Sequence, residues 1–394
     1  MLNTSLSPWP SFSEQEVNAV AQVLRSNKVN YWTGQEGRKF EQEFAQFSHC
    51  QYAVAVANGT LALDLALKSL NIGQGDEVIV TPRTFIASIS CVINCGATPV
   101  FADVDLDSQN ICADTIAPVI TNKTKAIICV HLAGRPCEMD EIMALAQQHQ
   151  LYVIEDCAQA HGATYKGKSV GSIGHIGAWS FCQDKIMTTG GEGGMLTTND
   201  EQLWRNAWAF KDHGKSYSAV YEKEHPPGYR WLHESFGTNW RLTEMQSAIG
   251  RIQTRNMPIW HQQRNDNAQQ IFNACAKYAF IHVPQLPGYL SHAYYKCYVF
   301  VQPEQLPAQW HRDRIIDTLN QAGVPCFSGS CSEVYLEKAF ENKPYKPVAS
   351  LPNAKRLGEI SLMFLVHPTL SQQEMTQMTD KISTLFDEIA RIAP

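Results

Sequence analysis

The sequence predicts an α/β protein: a large domain on a mostly parallel central sheet covered by helices on both faces, then a smaller C-terminal α/β domain. Three observations carry this expectation. Short β-prone runs alternate with helical stretches from residue 52 onward. The runs are apolar throughout, as strands buried on both faces are. Beyond about residue 250 the alternation gives way to a long helix and a second, shorter α/β pattern. At 394 residues the chain exceeds one simple core, so two domains are expected, 1–250 and 251–394.

Taken in order, "SFSEQEVNAVAQVLRS" opens with Ser11 followed three residues later by Glu14, a capping-box pattern that runs into apolar positions at helical spacing. The run "YAVAVA" reads as a strand and "GTLALDLALKSLNI" as a helix. "DEVIVT", "FIASISCVINCG" and "TPVFADV" repeat the rhythm, and "KAIICVHL", "MDEIMALAQQHQ" and "LYVIEDCAQAHG" repeat it again. "RLTEMQSAIGRIQTRNMPIWHQQRNDNAQQIFNACAKY" is a long helical stretch, ended by the proline-bearing "VPQLPGYLSH". A strand "YYKCYVFV", a helix "HRDRIIDTLNQAG" and a last helix close the chain. That last helix starts at the capping pair Ser371 and Glu374 and sets Met375, Met378, Ile382, Leu385 and Ile389 on one face.

Composition narrows the function classes. The formal charge of -6 is not organised around any basic block, which argues against nucleic acid and against a basic membrane-docking face. The N-terminus lacks a signal-peptide pattern and no apolar run approaches membrane-spanning length, so a cytoplasmic protein acting on small molecules is expected. The 12 cysteines are scattered without a CxxC pair. Cys91 with Cys95, or Cys326 with Cys331, offer at best weak metal spacing, and reduced core thiols are the stronger reading; no disulfide and no metal are expected.

Three stretches carry the chemistry. In "SFCQDKIMTTGGEGGML" a lone lysine, Lys185, sits between a strand-like run and a glycine cluster. It is either a solvated loop lysine or a residue held near a carbonyl, where glycines let backbone approach a bulky group. "VIEDCAQAHGA" places Asp156 at the carboxyl end of a strand, where ligands bind in open parallel sheets. There it is either a helix cap or the partner of a protonated pyridine nitrogen, with Gln159 and His161 close behind. "VANGTLALDLAL" sets Asn58, Gly59 and Thr60 between strand and helix, an anion site suited to phosphate if anything binds there.

In this order and at these separations, "NGTLALDLAL", "TPRTFIAS", "EDCAQAHGATYKGKSVGS", "WSFCQDKIMTTGGEGGMLTTND" and "FGTNWRLTEMQSAIG" resemble the DegT/StrS family of pyridoxal-phosphate sugar aminotransferases. The likeness runs over nearly the whole chain. It implies the aspartate-aminotransferase-like fold type I, with residues 1–250 as the cofactor-binding domain and pyridoxal 5'-phosphate as cofactor. It also implies a role for each matching position. Lys185 is the Schiff-base lysine and proton carrier. Asp156 pairs with the pyridinium nitrogen and Gln159 with the ring hydroxyl. Phe85 stacks on the ring, unless it is a core aromatic. Gly59, Thr60 and Ser180 hold the phosphate, and Asn239 reaches it from the neighbouring subunit of a homodimer. The chain reads "TTGGEGG" where the family usually reads TTGEGG, and "CQD" before the lysine is not the commonest form.

The activity so implied is amino transfer from an amino-acid donor, taken as L-glutamate, to a nucleotide-linked keto-deoxysugar in amino-sugar or polysaccharide biosynthesis. Lys185 in place of a histidine favours transamination over dehydration. The alternatives are a pyridoxal-phosphate sugar dehydratase or lyase on the same fold, and a cofactor-binding regulatory protein without turnover. The loops "NYWTGQE" and "FSGSCSEVYLE", with His292, are either close to the sugar or packed by their own aromatics.

Overall fold

The computed structural model describes residues 6–392. Seven strands form the central sheet: β1 (Tyr52–Val56), β2 (Glu77–Val80), β3 (Thr98–Phe101), β4 (Thr124–Val130), β5 (Tyr152–Asp156), β6 (Ile176–Ser180) and β7 (Gly194–Thr198). Their order is β1-β7-β6-β5-β4-β2-β3. Every pairing from β3 to β6 is parallel, and β7 alone runs antiparallel, between β6 and β1. All strands but β7 therefore point the same way, and their carboxyl ends meet along one edge.

The two-residue side-chain period explains why both faces are covered. Val54, Val78, Ile128, Ile154 and Leu196 face one side. There they pack with α3 (Gly59–Ser69), α4 (Ala87–Asn94) and α6 (Glu201–Phe210). Ile79, Ile127, Cys129 and Val153 face the other, against Met139, Ile142 and Ala146 of α5 (Met139–His149). Further along that face Ala53, Ala55, Trp179 and Met195 meet Phe40 and Phe44 of α2 (Glu36–Phe47).

Near the front of the described residues, α1 (Glu14–Ser26) is capped two residues later than the sequence suggests. Ser13 and Glu16 form the capping box instead of Ser11 and Glu14. Both pairs satisfy the pattern, and burial decides between them: the second oxygen of Glu16 accepts a 2.7 Å hydrogen bond from Gln253 Nε2. Gln253 belongs to α7 (Glu244–Cys275), a single 32-residue helix within which the expected boundary at residue 250 falls.

Beyond α7, the strands β8 (Ile281–His282), β9 (Cys297–Val301), β10 (Cys326–Phe327) and β11 (Ser361–Phe364) form a second sheet in the order β8-β9-β11-β10. It is antiparallel throughout. One face packs against α8 (Arg312–Gln321) and α10 (Gln372–Ala390). The last helix begins at the Ser371 and Glu374 capping box and buries Met375, Met378, Ile382, Leu385 and Ile389. The other face, through Tyr298, Phe300 and Met363, joins the core that includes Ile127 and Val153 of the central sheet and Leu357 of α9 (Pro352–Ile360). All 12 cysteines are free thiols. No helix among the described residues is long and apolar enough to cross a membrane.

The crossing of α7 over α2 depends on a missing side chain. A Cβ at Gly250 would lie 2.5 Å from Phe40 Cζ. Gly250→Ala should therefore destabilise the protein by about 1–3 kcal/mol through overpacking, although alanine is the better helix former by about 1 kcal/mol. Denaturant unfolding of the two proteins checks the sign.

Candidate active site

Four loops leave the carboxyl ends of the aligned strands and help enclose a cavity of about 820 Å³. From β1 come Asn58, Gly59 and Thr60; from β2, Thr84, Phe85 and Ser88; from β5, Asp156 and Gln159; from β6, Ser180, Asp184 and Lys185. Tyr295, Lys296 and the segment around Gly329–Cys331 close the far side. Each side chain is aimed by its strand or by a helix start.

Asp156 is the last residue of β5 and only 5% exposed. Its Oδ2 accepts from Ser88 Oγ at 2.8 Å and its Oδ1 from the Ala158 N–H at 3.1 Å. With its one proton given to Asp156, Ser88 Oγ is left to accept from Thr84 Oγ1 at 3.0 Å. Burial pushes the Asp156 carboxyl above its usual range, against the Ser88 hydroxyl, the Ala158 N–H, Lys185 and His131, which all pull it down. Asp156 forms no ion pair among the described residues, and each oxygen keeps a lone pair for a further donor. Glu155, one residue earlier, points to the opposite face. There it accepts from His131 Nε2 at 2.9 Å and from the N–H groups of Gly171, Ile173 and Gly174. His131, Glu155 and Cys157 come close enough for a metal, but the carboxylate is already engaged by these donors.

At the start of α3, Asn58 Oδ1 accepts from the Leu61 N–H at 2.9 Å and the Asn58 carbonyl from the Ala62 N–H at 3.2 Å. The Gly59 and Thr60 N–H groups at this helix start remain for a ligand, where the helix dipole favours an anion. Gly59 must lack a side chain: a Cβ there would fall 2.4 Å from Ser180 Cβ. The helix start is thus held directly against Ser180.

Gln159 Oε1 accepts from the Ala133 N–H at 2.8 Å. With the carbonyl end so used, the amide NH₂ is the end left to donate. Ala133 adopts φ 58, a left-handed conformation unusual for alanine, which turns its N–H toward the glutamine. Phe85 is 69% exposed on the cavity wall, so it is not a core aromatic.

Lys185 lies after β6, with Nζ 3.7 Å from Asp184 Oδ1 and 5.0 Å from the Tyr295 ring centre. Its backbone carbonyl accepts from Trp9 Nε1 at 2.8 Å. Tyr295 donates its hydroxyl to Asp184 Oδ2. Burial raises the Asp184 carboxyl, but Lys185, the Tyr295 hydroxyl and Lys296 outweigh it and hold the group below its ordinary value.

Of the sequence-predicted residues, Lys185, Asp156, Gln159, Phe85, Gly59, Thr60 and Ser180 share one cavity wall. Asn239 does not; it is exposed and bridge-paired with Asp212 in this chain. His161 is buried against the Trp179 and Phe181 rings, and burial lowers it to about 3. His292 packs on Tyr294 with its Nδ1 accepting from the Tyr294 N–H. In "NYWTGQE", Tyr31 bonds Glu41 and Trp32 bonds Asp212, whereas Gly329, Ser330, Cys331, Val334 and Glu337 of "FSGSCSEVYLE" line the cavity. Sequence reasoning missed Ser88, Asp184, Tyr295 and Ala133. Ser88 and Asp184 stand within quoted motifs, and their closeness to the carboxyl ends of β2 and β6 is the available signal.

These residues fit pyridoxal phosphate. The donor set offers unused N–H groups and hydroxyls for a dianion, an uncompensated buried carboxylate for a ring cation, an amide NH₂ for a ring oxygen, an open aromatic face and a primary amine.

Comparison with known proteins gives the same direction. The sequence profile of the DegT/DnrJ/EryC1/StrS aminotransferase family matches residues 10–383. An aminotransferase from Psychrobacter cryohalolentis, solved by X-ray methods, is 66% identical with a TM-score of 0.96, over 98% of this chain and 100% of that one. The GDP-perosamine synthase of Escherichia coli O157:H7 is 44% identical over 247 residues, 62% of this chain and 64% of that protein, so the match spans less than two thirds of it. The UDP-N-acetyl-3-dehydro-alpha-D-glucosamine 3-aminotransferase of Acidithiobacillus ferrooxidans is 36% identical over 372 residues, 94% of this chain and 93% of that protein.

The Asp156 environment yields a test that needs no substrate. Asparagine can keep both contacts, accepting from Ala158 and donating to Ser88, without burying a charge. Because the folded carboxyl is raised, ionisation of Asp156 lowers apoprotein stability once pH exceeds the unfolded value of about 3.9. Asp156→Asn should therefore raise the apoprotein melting temperature at neutral pH, with the gap closing below that value. It should also lose most of the further rise that added pyridoxal phosphate gives wild type. Thermal scans with and without cofactor read both effects.

Proposed function

The chain belongs to the DegT/DnrJ/EryC1/StrS aminotransferase family, and on that premise we propose that it moves an amino group from L-glutamate to a keto carbon of a nucleotide-linked deoxysugar, releasing 2-oxoglutarate. The family works with pyridoxal 5'-phosphate, which, when bound, supplies an electron sink and carries the amino group between two half-reactions. The observation that carries the reading is the single cavity joining Lys185, Asp156, Gln159 and the Gly59–Thr60 helix start.

Each residue then has a task. Gly59, Thr60 and Ser180 bind the phosphate through N–H and O–H donors at a helix start. Asp156 keeps the ring nitrogen protonated, with Ser88 and Ala158 fixing the carboxylate. Gln159 donates to the ring oxygen, and Phe85 covers one ring face. Lys185 would hold the cofactor through its amine and, once freed, would move the proton at the substrate carbon; proton transfer by such a group contributes on the order of 10²- to 10⁴-fold. Asp184, held by Tyr295, keeps a negative charge beside that amine.

The same reading makes residues 1–250 the cofactor domain and 251–394 a smaller domain of a cytoplasmic homodimer, with no nucleic acid or membrane partner. Asn239 completes the phosphate site from the neighbouring subunit. It is supported by the exposed aromatics around Asn239: Tyr229, Trp231 and Phe236 are 75%, 83% and 99% exposed. The named relatives acting on GDP- and UDP-linked sugars support the nucleotide-sugar class.

Lys185→Ala should fold and bind the cofactor without a covalent bond, so that borohydride reduction followed by protein mass spectrometry finds no adduct, and turnover should fall by at least ~10³-fold. Incubating wild type with L-glutamate alone should halt after one equivalent of 2-oxoglutarate. Adding a panel of nucleotide keto sugars and weighing the products identifies the acceptor. Continued turnover without an acceptor would instead mark a lyase.

A further inference from the structure

We propose that Arg264 grips the far carboxylate of a dicarboxylic amino donor, in a second chamber that opens beside Lys185. This inference rests on the donor assignment above.

The chamber, about 1160 Å³, shares Cys182, Asp184, Tyr295, Lys296 and Gly329 with the cofactor cavity, so the two are continuous. Arg264 reaches its wall from α7 and is 1% exposed. A buried guanidinium needs acceptors for its donors. Here Nη1 donates to the Tyr294 carbonyl at 3.3 Å, while Nε and Nη2 are buried with no partner. The Trp9 ring lies 5.1 Å from the guanidinium carbon, and no carboxylate pairs with Arg264 among the described residues. Burial accordingly pulls the group down to about 9.

The two unused donors have a specific geometry. Nε–H and the Nη2–H on the same side form the parallel fork that meets the two oxygens of one carboxylate. The other charged groups on the wall are accounted for. Asp184 is held by Tyr295 and faces Lys185; Lys296 lies over the Tyr295 ring; burial keeps His367 neutral at about 4. Phe12, Met363, Leu365 and Val366 give the rest of the wall an apolar character suited to methylene groups. Arg264 does not line the cofactor cavity itself, so the carboxylate it holds is the one remote from the reacting carbon.

The probe is glutarate, which keeps both carboxylates and lacks the reacting amine, with butanoate as its one-carboxylate counterpart. Calorimetry on the holoenzyme should show wild type binding glutarate more tightly than butanoate, and Arg264→Gln should lower glutarate affinity at least ~30-fold, erasing the difference. Arg264→Lys keeps the charge but not the fork and should lose affinity too; it answers the question if the glutamine variant fails to fold. Equal glutarate binding by wild type and either folded variant, while L-glutamate still aminates the cofactor, overturns the role of Arg264 and leaves the donor assignment standing. Failure of wild type to bind glutarate and to react with L-glutamate removes both.

Discussion

A negative charge held at the carboxyl end of a central strand, with hydrogen-bond donors but no cation, is the constraint on which the rest depends. Parallel strands bring their loops to one edge, and Asp156 sits there almost wholly out of water. Its two donors, a serine hydroxyl and a backbone N–H, are neutral. They orient the carboxylate without compensating its charge, so the site is energetically incomplete until a positive group arrives. The neighbouring Glu155 makes the contrast plain: three backbone N–H groups and a histidine engage it on the opposite face. Two acidic residues in succession thus divide into a structural tie and a binding group through the alternation of a strand alone.

The same logic runs through the other contacts: what a group has already used decides what it can still offer. Gln159 uses its carbonyl on Ala133 and so presents its amide nitrogen. Asn58 serves the third and fourth residues beyond it and leaves the first two N–H groups of the helix unoccupied. Arg264 uses one nitrogen and keeps a fork. On the proposed reading, specificity is built from unspent donors in fixed positions, which a folded scaffold supplies without reorganising when a ligand enters.

Much of this was legible in the chain. The uniformly apolar runs foretold a parallel sheet, since no face of those strands is wetted, and the capping pair at Ser371 foretold the last helix. Lys185, Asp156 and the Asn58–Thr60 turn were found because strand ends and helix starts are marked by residue type. Other features were hidden for physical reasons. The antiparallel β7 is written in Gly194 and threonines next to a glycine loop, with no apolar run to announce it. The choice of Ser13 over Ser11 rests on Gln253, more than two hundred residues away. Ser88, Tyr295 and Arg264 are ordinary residues locally, and only tertiary placement gives them partners or denies them any. Tyr31 and Trp32 look like ligand contacts in a list of letters but meet Glu41 and Asp212.

The first described residues also reach further than their position suggests. Trp9 clamps the carbonyl of Lys185, the Pro8 carbonyl is bonded by Thr369, and Ser7 is bound by Glu374 at the head of the last helix. Residues 7 to 9 and residues 369 to 374 therefore meet behind Lys185. During synthesis on the ribosome residues 7 and 8 wait for their partners until residues 369 to 374 have emerged and folded. A chain ending before residue 369 would keep the partners of the Trp9–Lys185 contact but lack the ties that hold residues 7 and 8 behind it.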